Sequence, residues 1–200
     1  MKKRIALFGG AFDPVHLGHV QVAENIIGRF GFDETWVMPT FDHTFGKKLT
    51  PGNNRLAMCE IAFRNLDVYV SAFEISNKVT GGTYEVLKAL SAVYPDYAFS
   101  MVIGSDNILN IKKWKNWEKL TAEYPFIVIQ RKGFDADGVS LMPSNGPMVE
   151  RLTGYIQTSE IVEYSSTKVR NDIASGIQPQ YIDPQVYDYI KAHNLYGAVK

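Results

Sequence analysis

His16 and His19 are the residues of this chain whose types and spacing best suit chemistry, and they close the run Gly9-Gly10-Ala11-Phe12-Asp13-Pro14-Val15-His16-Leu17-Gly18-His19. Two histidines three positions apart at the start of a helix lie on one face of it, so both imidazoles can address one bound group. No third ligand follows at a recognisable short spacing, and the pair therefore suits a phosphate chain better than a metal ion. The run is preceded by a short apolar stretch, Ile5 to Phe8, and leads into an amphipathic segment, Val20 to Ile27. Apolar run, glycine turn and helix make the first half of a βαβ unit, where backbone N–H groups and a helix N-terminus hold anions. A Gly-Gly turn alone is a weak signal, and a lone histidine near a helix start more often caps or faces water. The specificity lies in the complete run.

Further candidates stand at the ends of other elements. Ser165-Ser166-Thr167-Lys168-Val169-Arg170 opens a helix: a plain N-cap explains one serine, whereas two cations in the first turn oppose the helix dipole and make sense beside a bound anion. Asp106 follows the apolar run Phe99 to Ile103 through Gly104, placed to accept from ribose hydroxyls or, equally, to cap the next helix. His43, Lys47 and Lys48 lie in a stretch of mixed polarity, Thr40 to Gly52, that reads as a cationic loop able to close over a triphosphate, or simply as a solvated surface loop. Trp114 and Trp117 sit among Lys112, Lys113, Lys115 and Lys119; one of the two indoles can serve a flat heteroaromatic ring, the ordinary alternative being core packing.

The elements that must hold these groups follow from apolar periodicity. Ile5 to Phe8, Thr35 to Met38, Asp67 to Phe73, Phe99 to Ile103, Phe126 to Gln130 and Tyr155 to Gln157 read as strands. Helices are expected over Leu17 to Phe30, ending near Gly28 or Gly31, after Asn53 or Asn54 as cap, and over Tyr84 to Val93, Ile108 to Leu120, Ser165 onward and Pro184 to His193. Gly133 to Met148, with Pro143, Asn145, Gly146 and Pro147, reads as a surface excursion. The alternation predicts an α/β fold, a Rossmann-like doubly wound parallel sheet flanked by helices, in one domain over residues 1–200 with a small C-terminal helical part.

Composition narrows the partners. Lys plus Arg and Asp plus Glu each total 21, so no global basic field recruits a nucleic acid polymer. The single Cys59 falls in an apolar helical pattern and reads as a small core residue in a reducing compartment. The apolar run after Lys2, Lys3 and Arg4 is too short for a signal peptide, and no run approaches a membrane span. A cytoplasmic protein with no membrane partner is expected, and association into a homo-oligomer stays open.

Gly-Gly-x-Phe-Asp-Pro-x-His-x-Gly-His resembles the signature of the nucleotidyltransferase superfamily that carries the His-x-Gly-His motif. Ile103-Gly104-Ser105-Asp106, Lys113-Trp114, Ser165 to Arg170, the segment Tyr181 to Ile190 and Leu195-Tyr196 extend the likeness, with gaps, over nearly the whole chain to the bacterial nicotinate mononucleotide adenylyltransferases. The resemblance implies transfer of AMP from ATP to the 5′-phosphate of a pyridine mononucleotide, with Mg2+ accompanying the ATP. It implies that His16, His19 and Arg170 are catalytic. ATP would be bound by Gly9, Gly10, Ala11, Phe12, His16, His19, Lys47, Gly104, Asp106, Ser165, Ser166, Thr167 and Arg170. The acceptor would meet Phe12, Thr83, Tyr84, Trp114 and Arg131.

Departures fall in the parts that would recognise the acceptor or clamp ATP. Arg131-Lys132-Gly133 stands where the family usually has Arg-Pro-Gly, Gly82-Thr83-Tyr84-Glu85 differs from the usual Ser-Tyr-Thr, and His43 is separated from Lys47. They leave open whether the pyridine carries a carboxylate or an amide. A phosphopantetheine acceptor is disfavoured by Trp114 and by His16, and a nucleotide sensor without turnover by the intact His16, His19 and Arg170.

Overall fold

Alternation of side chains explains why the strands stack as they do. In β1 (Lys3–Gly10), Ile5 and Leu7 face one way and Ala6 the other, and all three are buried. The same holds in β4 (Tyr97–Gly104), where Phe99, Met101 and Ile103 share a cluster with Ile5 and Leu7 while Val102 joins Ala6 on the opposite side. Strands apolar on both faces need cover on both, and helices supply it. A computed structural model describes residues 1–28, 30–42, 48–129 and 164–198, together with the backbone of residues 152–156.

The sheet has six parallel strands in the order β3-β2-β1-β4-β5-β6, with β2 (Glu34–Pro39), β3 (Tyr69–Val70), β5 (Phe126–Ile129) and β6 (Leu152–Ile156). The first cluster is closed by α4 (Thr83–Val93), through Tyr84, Val86, Leu87 and Leu90, and by Leu120 of α6 (Trp117–Glu123). The other face is covered by α1 (Leu17–Ile26), α2 (Gly52–Phe63), α7 (Ser166–Ala174) and α8 (Pro184–Ala192), which contribute Ala23, Ile26, Met58, Cys59, Phe63, Val169, Ile173, Val186 and Ile190. Strand order reverses between β1 and β4, and a crevice opens at the carboxyl ends of strands at such a point. Among the described residues no helix is long and apolar enough to cross a membrane.

The predicted architecture is the observed one, with several local corrections. α1 ends at Ile26 with Gly28 at φ 69 just beyond it, so of the two expected ends, near Gly28 or near Gly31, the first is the observed one. Neither Asn53 nor Asn54 caps α2: Pro51 holds the N-cap position and Gly52 is already helical, while Asn54 accepts the Tyr189 hydroxyl of α8 at 3.1 Å. The strand expected over Asp67 to Phe73 shrinks to Tyr69–Val70, because it pairs only with β2 at the sheet edge and the chain turns into α3 (Phe73–Ser76). The single helix expected over Ile108 to Leu120 is broken into α5 (Ser105–Ile108), a 3-10 turn (Ile111–Lys113) and α6, with Asn116 left-handed at φ 58 between them. Gln130, the 133–148 excursion and Gln157 lie outside the described residues.

Candidate active site

The two histidines meet as their spacing requires. His16 is the N-cap residue of α1, and its ring stacks on that of His19 with centroids 3.7 Å apart and planes 23° from parallel. The His16 backbone N–H donates to His19 Nδ1 at 3.1 Å. With Nδ1 accepting, a neutral His19 carries its proton on Nε2, which makes that nitrogen a donor suited to a phosphate oxygen. Phe12 packs its ring edge against His19, with centroids 4.9 Å apart, and fixes the imidazole from the core side.

Gly18 is glycine for a reason of space. A Cβ there would stand 2.9 Å from Tyr164 Cδ2, 3.0 Å from Tyr164 Cβ and 3.1 Å from His16 Cε1. The motif's glycine thus lets the segment before α7 come down onto the histidine pair. α7 itself is docked on the signature turn by two bonds that span the sequence: Ser166 Oγ donates to the Pro14 carbonyl at 2.9 Å, and Arg170 donates to the Asp13 carbonyl at 2.6 Å. A second Arg170 nitrogen donates to Thr167 Oγ1 at 3.1 Å.

Ser165 is the plain N-cap, its hydroxyl accepting the Lys168 N–H at 3.1 Å. Lys168 pairs with Asp172 one turn on, at 2.9 Å, so the expectation that both cations of this turn answer to an anion is corrected for Lys168 by a local partner. Arg170 remains as the cation held against the Asp13–Pro14 turn.

Beside this corner the crevice between β1 and β4 widens into a cleft of about 230 Å³. Its walls include Gly9, Gly10 and Ala11 from the β1 turn, Thr83 at the start of α4, and Trp114. Both tryptophans are half-buried against the first core cluster; Trp114 also faces the cleft, and Trp117 has Lys112 Nζ 6.0 Å from its ring centroid. Gly81 and Gly82 precede α4 at φ 101 and φ 94, a backbone region that disfavours a side chain, which accounts for glycine at the position before Thr83.

Two expected acceptor contacts do not reach the cleft through their side chains. The Phe12 ring is 1 % exposed and belongs to the core, so its part is support of His19. Tyr84 is buried among the first core cluster and its hydroxyl donates to Glu123 at 3.1 Å, because the first turn of α4 directs Thr83 outward and Tyr84 inward. Gly104 ends β4 and Asp106 is the second residue of α5, so Asp106 is not the helix cap; Asn107, one position on, lines the cleft. Lys47 and Arg131 lie outside the described residues.

Sequence reasoning missed three residues. Arg55 is 1 % exposed and donates to three carbonyls, Thr50 and Ala11 at 2.8 Å each and Thr40 at 2.6 Å. It thereby ties the β1 turn to Thr40 just after β2 and to Thr50 just before α2. Burial lowers its pKa, and the neighbouring Asp13 works against that shift. A signal was present: Arg55 precedes Met58, Cys59 and Ala62 at the spacing of the buried face of α2. Tyr196, near the C-terminus, donates to Asp13 Oδ1 at 2.6 Å, and burial together with that bond pushes its hydroxyl pKa up. The third is Glu74, which lines the cleft and accepts the Phe41 N–H at 2.9 Å. Burial raises its carboxyl to about 7, against the opposing pull of the Phe41 bond and Arg55.

Among the described residues no group of three or more His, Cys, Asp or Glu side chains is placed to hold a metal ion. A magnesium ion keeps several waters and binds readily through substrate phosphates, so a nucleotide at this corner can bring its own.

Residues 7–172 match the cytidylyltransferase-like family. A protein of Symbiobacterium thermophilum named "probable nicotinate-nucleotide adenylyltransferase" is 33 % identical, over 96 % of this chain and 95 % of its own. One of the same name from Anaeromyxobacter sp. (strain K) is 32 % identical, over 97 % of both. Among solved structures, the nicotinic acid mononucleotide adenylyltransferase of Plasmodium falciparum complexed with NaAD superposes with a TM-score of 0.82 at 28 % identity, covering 98 % of each chain. Its complex with APC gives a TM-score of 0.80 at 27 % identity.

Proposed function

The chain belongs to the cytidylyltransferase-like family, and from that premise we propose that it is a nicotinate mononucleotide adenylyltransferase, which joins the AMP of ATP to the acceptor's 5′-phosphate and releases pyrophosphate. The observation that carries this reading is the docking of α7 on the Asp13–Pro14 turn, which gathers Arg170, Thr167 and Ser166 to the turn that leads into the stacked histidines. A corner of this kind concentrates donors where a triphosphate needs them. Trp114 and Thr83 in the adjoining cleft supply a flat platform and a hydroxyl for a pyridine ring. The relative solved with NaAD supports a dinucleotide product.

The chemistry asks for positioning and charge neutralisation. The acceptor's 5′-phosphate is already an anion at neutral pH, so it attacks the α-phosphorus in line without a general base, and no covalent enzyme intermediate is needed. The bond to pyrophosphate breaks as the new P–O bond forms. His19, with Nε2 as donor, and His16 stacked on it stabilise charge on the phosphate oxygens, and Arg170 adds a fixed cation. Arg170 spends two of a guanidinium's five N–H donors on Asp13 and Thr167, which hold it in place while the others address phosphate. Backbone N–H groups of Gly9, Gly10 and Ala11 and the groups at Gly104 and Asp106 complete the ATP side; Lys47, outside the described residues, is assigned to it on the sequence resemblance alone. Magnesium enters as part of the ATP substrate and spreads the triphosphate's charge.

The nicotinamide mononucleotide reading keeps one observation in its favour. The described residues that line the cleft include two carboxylates, Asp42 and Glu74, while the cation beside its wall is Lys115, whose Nζ lies 3.8 Å from where a Cβ on Gly81 would stand. That field suits the positively charged pyridinium ring common to both acceptors, but not the added carboxylate of nicotinate. The deciding experiment is pyrophosphate release by the purified protein with ATP and magnesium, with each acceptor offered in a separate reaction. Release with nicotinate mononucleotide in preference to the amide is expected; the reverse preference moves the protein to direct NAD synthesis, and no release with either overturns the enzyme.

A further inference from the structure

Folding has taken the Glu74 side chain out of bulk water and still left it on the wall of the cleft. It is 6 % exposed, lies on the four-residue helix α3, and shares the cleft wall with Thr83, Gly81 and Trp114. One of its oxygens accepts the Phe41 N–H, which fixes the carboxyl group in place. The charged groups that act on it among the described residues are Arg55 from α2, whose guanidinium is turned onto the Thr50, Ala11 and Thr40 carbonyls, and Asp42 from the loop after β2.

On the adenylyltransferase reading given above, we propose that Glu74 sets the preference between a carboxylate and a carboxamide on the acceptor's pyridine ring. When protonated, its O–H donates to a ring carboxylate. When ionised, it repels that carboxylate and accepts from the N–H of an amide. Burial raises the Glu74 carboxyl to about 7, so both forms are populated near neutral pH. The sign follows: below that value the neutral acid favours nicotinate mononucleotide, and the preference is lost as pH rises through it. By reciprocity, a bound carboxylate makes Glu74 a weaker acid, so binding nicotinate mononucleotide takes up a proton that binding the amide does not. Both acceptors carry the same 5′-phosphate, and its titration cancels in the ratio of their affinities.

The test is calorimetric titration of the full chain with nicotinate mononucleotide and with nicotinamide mononucleotide. It is run from about pH 6 to about pH 8 in buffers of different ionisation heat, alongside pyrophosphate release, on the wild type, Glu74→Gln and Asp42→Asn. Glutamine keeps an oxygen to accept the Phe41 N–H, so the site keeps its shape. In the wild type the acid-over-amide affinity ratio is expected to fall about tenfold across that range, the size of effect a like charge brings. Glu74→Gln gives a flat ratio and no extra proton uptake, while Asp42→Asn keeps the inflection and moves it to lower pH. A flat wild-type ratio, or an inflection that survives in Glu74→Gln, overturns the role of Glu74 while leaving an active enzyme in place. Failure of both acceptors to bind and to release pyrophosphate overturns the adenylyltransferase reading and this inference with it.

Discussion

The phosphate corner and the acceptor cleft both begin at the β1 turn, yet they are held together differently. The corner comes from two short segments, residues 11–19 and 164–170: side chains of the second donate to the backbone of the first, Ser166 to Pro14 and Arg170 to Asp13, and within the first the His16 N–H donates to the His19 ring. The cleft takes its walls from β1, β2 and the residues after it, α3, the turn before α4, α4 itself, β4, α5 and Trp114. A site made of contiguous motifs can be fixed locally, and one made of scattered residues depends on the sheet and helices around it. The first suits a reaction common to a whole family; the second can change its acceptor by substituting one wall.

Arg55 is the residue on which this contrast can be broken, because it serves both regions. Arg55→Ala leaves three buried carbonyls without their donor, and a loss of about 3 kcal/mol or more is expected, read as a fall in the thermal or urea midpoint together with weaker ATP and acceptor binding. A stability change that left both affinities intact would show that the guanidinium supports the core alone.

The two regions separate more cleanly in a pair of truncations. His19→Ala is expected to lower kcat by about 10² or more with either acceptor, since one preorganised donor is lost from the transition state. Trp114→Ala should instead raise the acceptor KM by about tenfold or somewhat more, the worth of one stacked base, and leave the KM for ATP unchanged. Steady-state kinetics with each substrate varied in turn checks both; equal effects on the two substrates would dissolve the division between corner and cleft.

The smallest effect is expected at Lys168. Its exposed pair with Asp172 is worth about 0.5 kcal/mol or less, so Lys168→Ala should leave the ATP KM within about twofold. A larger rise would return this lysine to the phosphate site.

Legibility follows the same division. The placement of His16, His19, Gly18 and Arg170 could be read from the chain because it depends on spacing along a helix and on residue types within one short run. The sheet was legible for a related reason: Ile5, Leu7, Phe99 and Met101 alternate with residues buried on the other face, and that period is a local property. The misreadings arose where local pattern met distant packing. Phe12 and Tyr84 carry the residue types of an acceptor pocket, but each turns into the core, toward His19 and Glu123 respectively. Lys168 carries the charge of an anion ligand, but it pairs with Asp172 one turn on.

The sequence by itself therefore determined the parallel α/β sheet and the meeting of His16 with His19 at the start of α1, because both are written in periodicity and contiguous motifs. Only the tertiary structure decided which tryptophan faces the cleft, that Arg55 binds the β1 turn to the loop after β2, and that Glu74 stands buried on the cleft wall. Spacing along α2 marks Arg55 as facing inward, but which groups each side chain meets depends on what arrives from remote parts of the chain, and no local spacing encodes that.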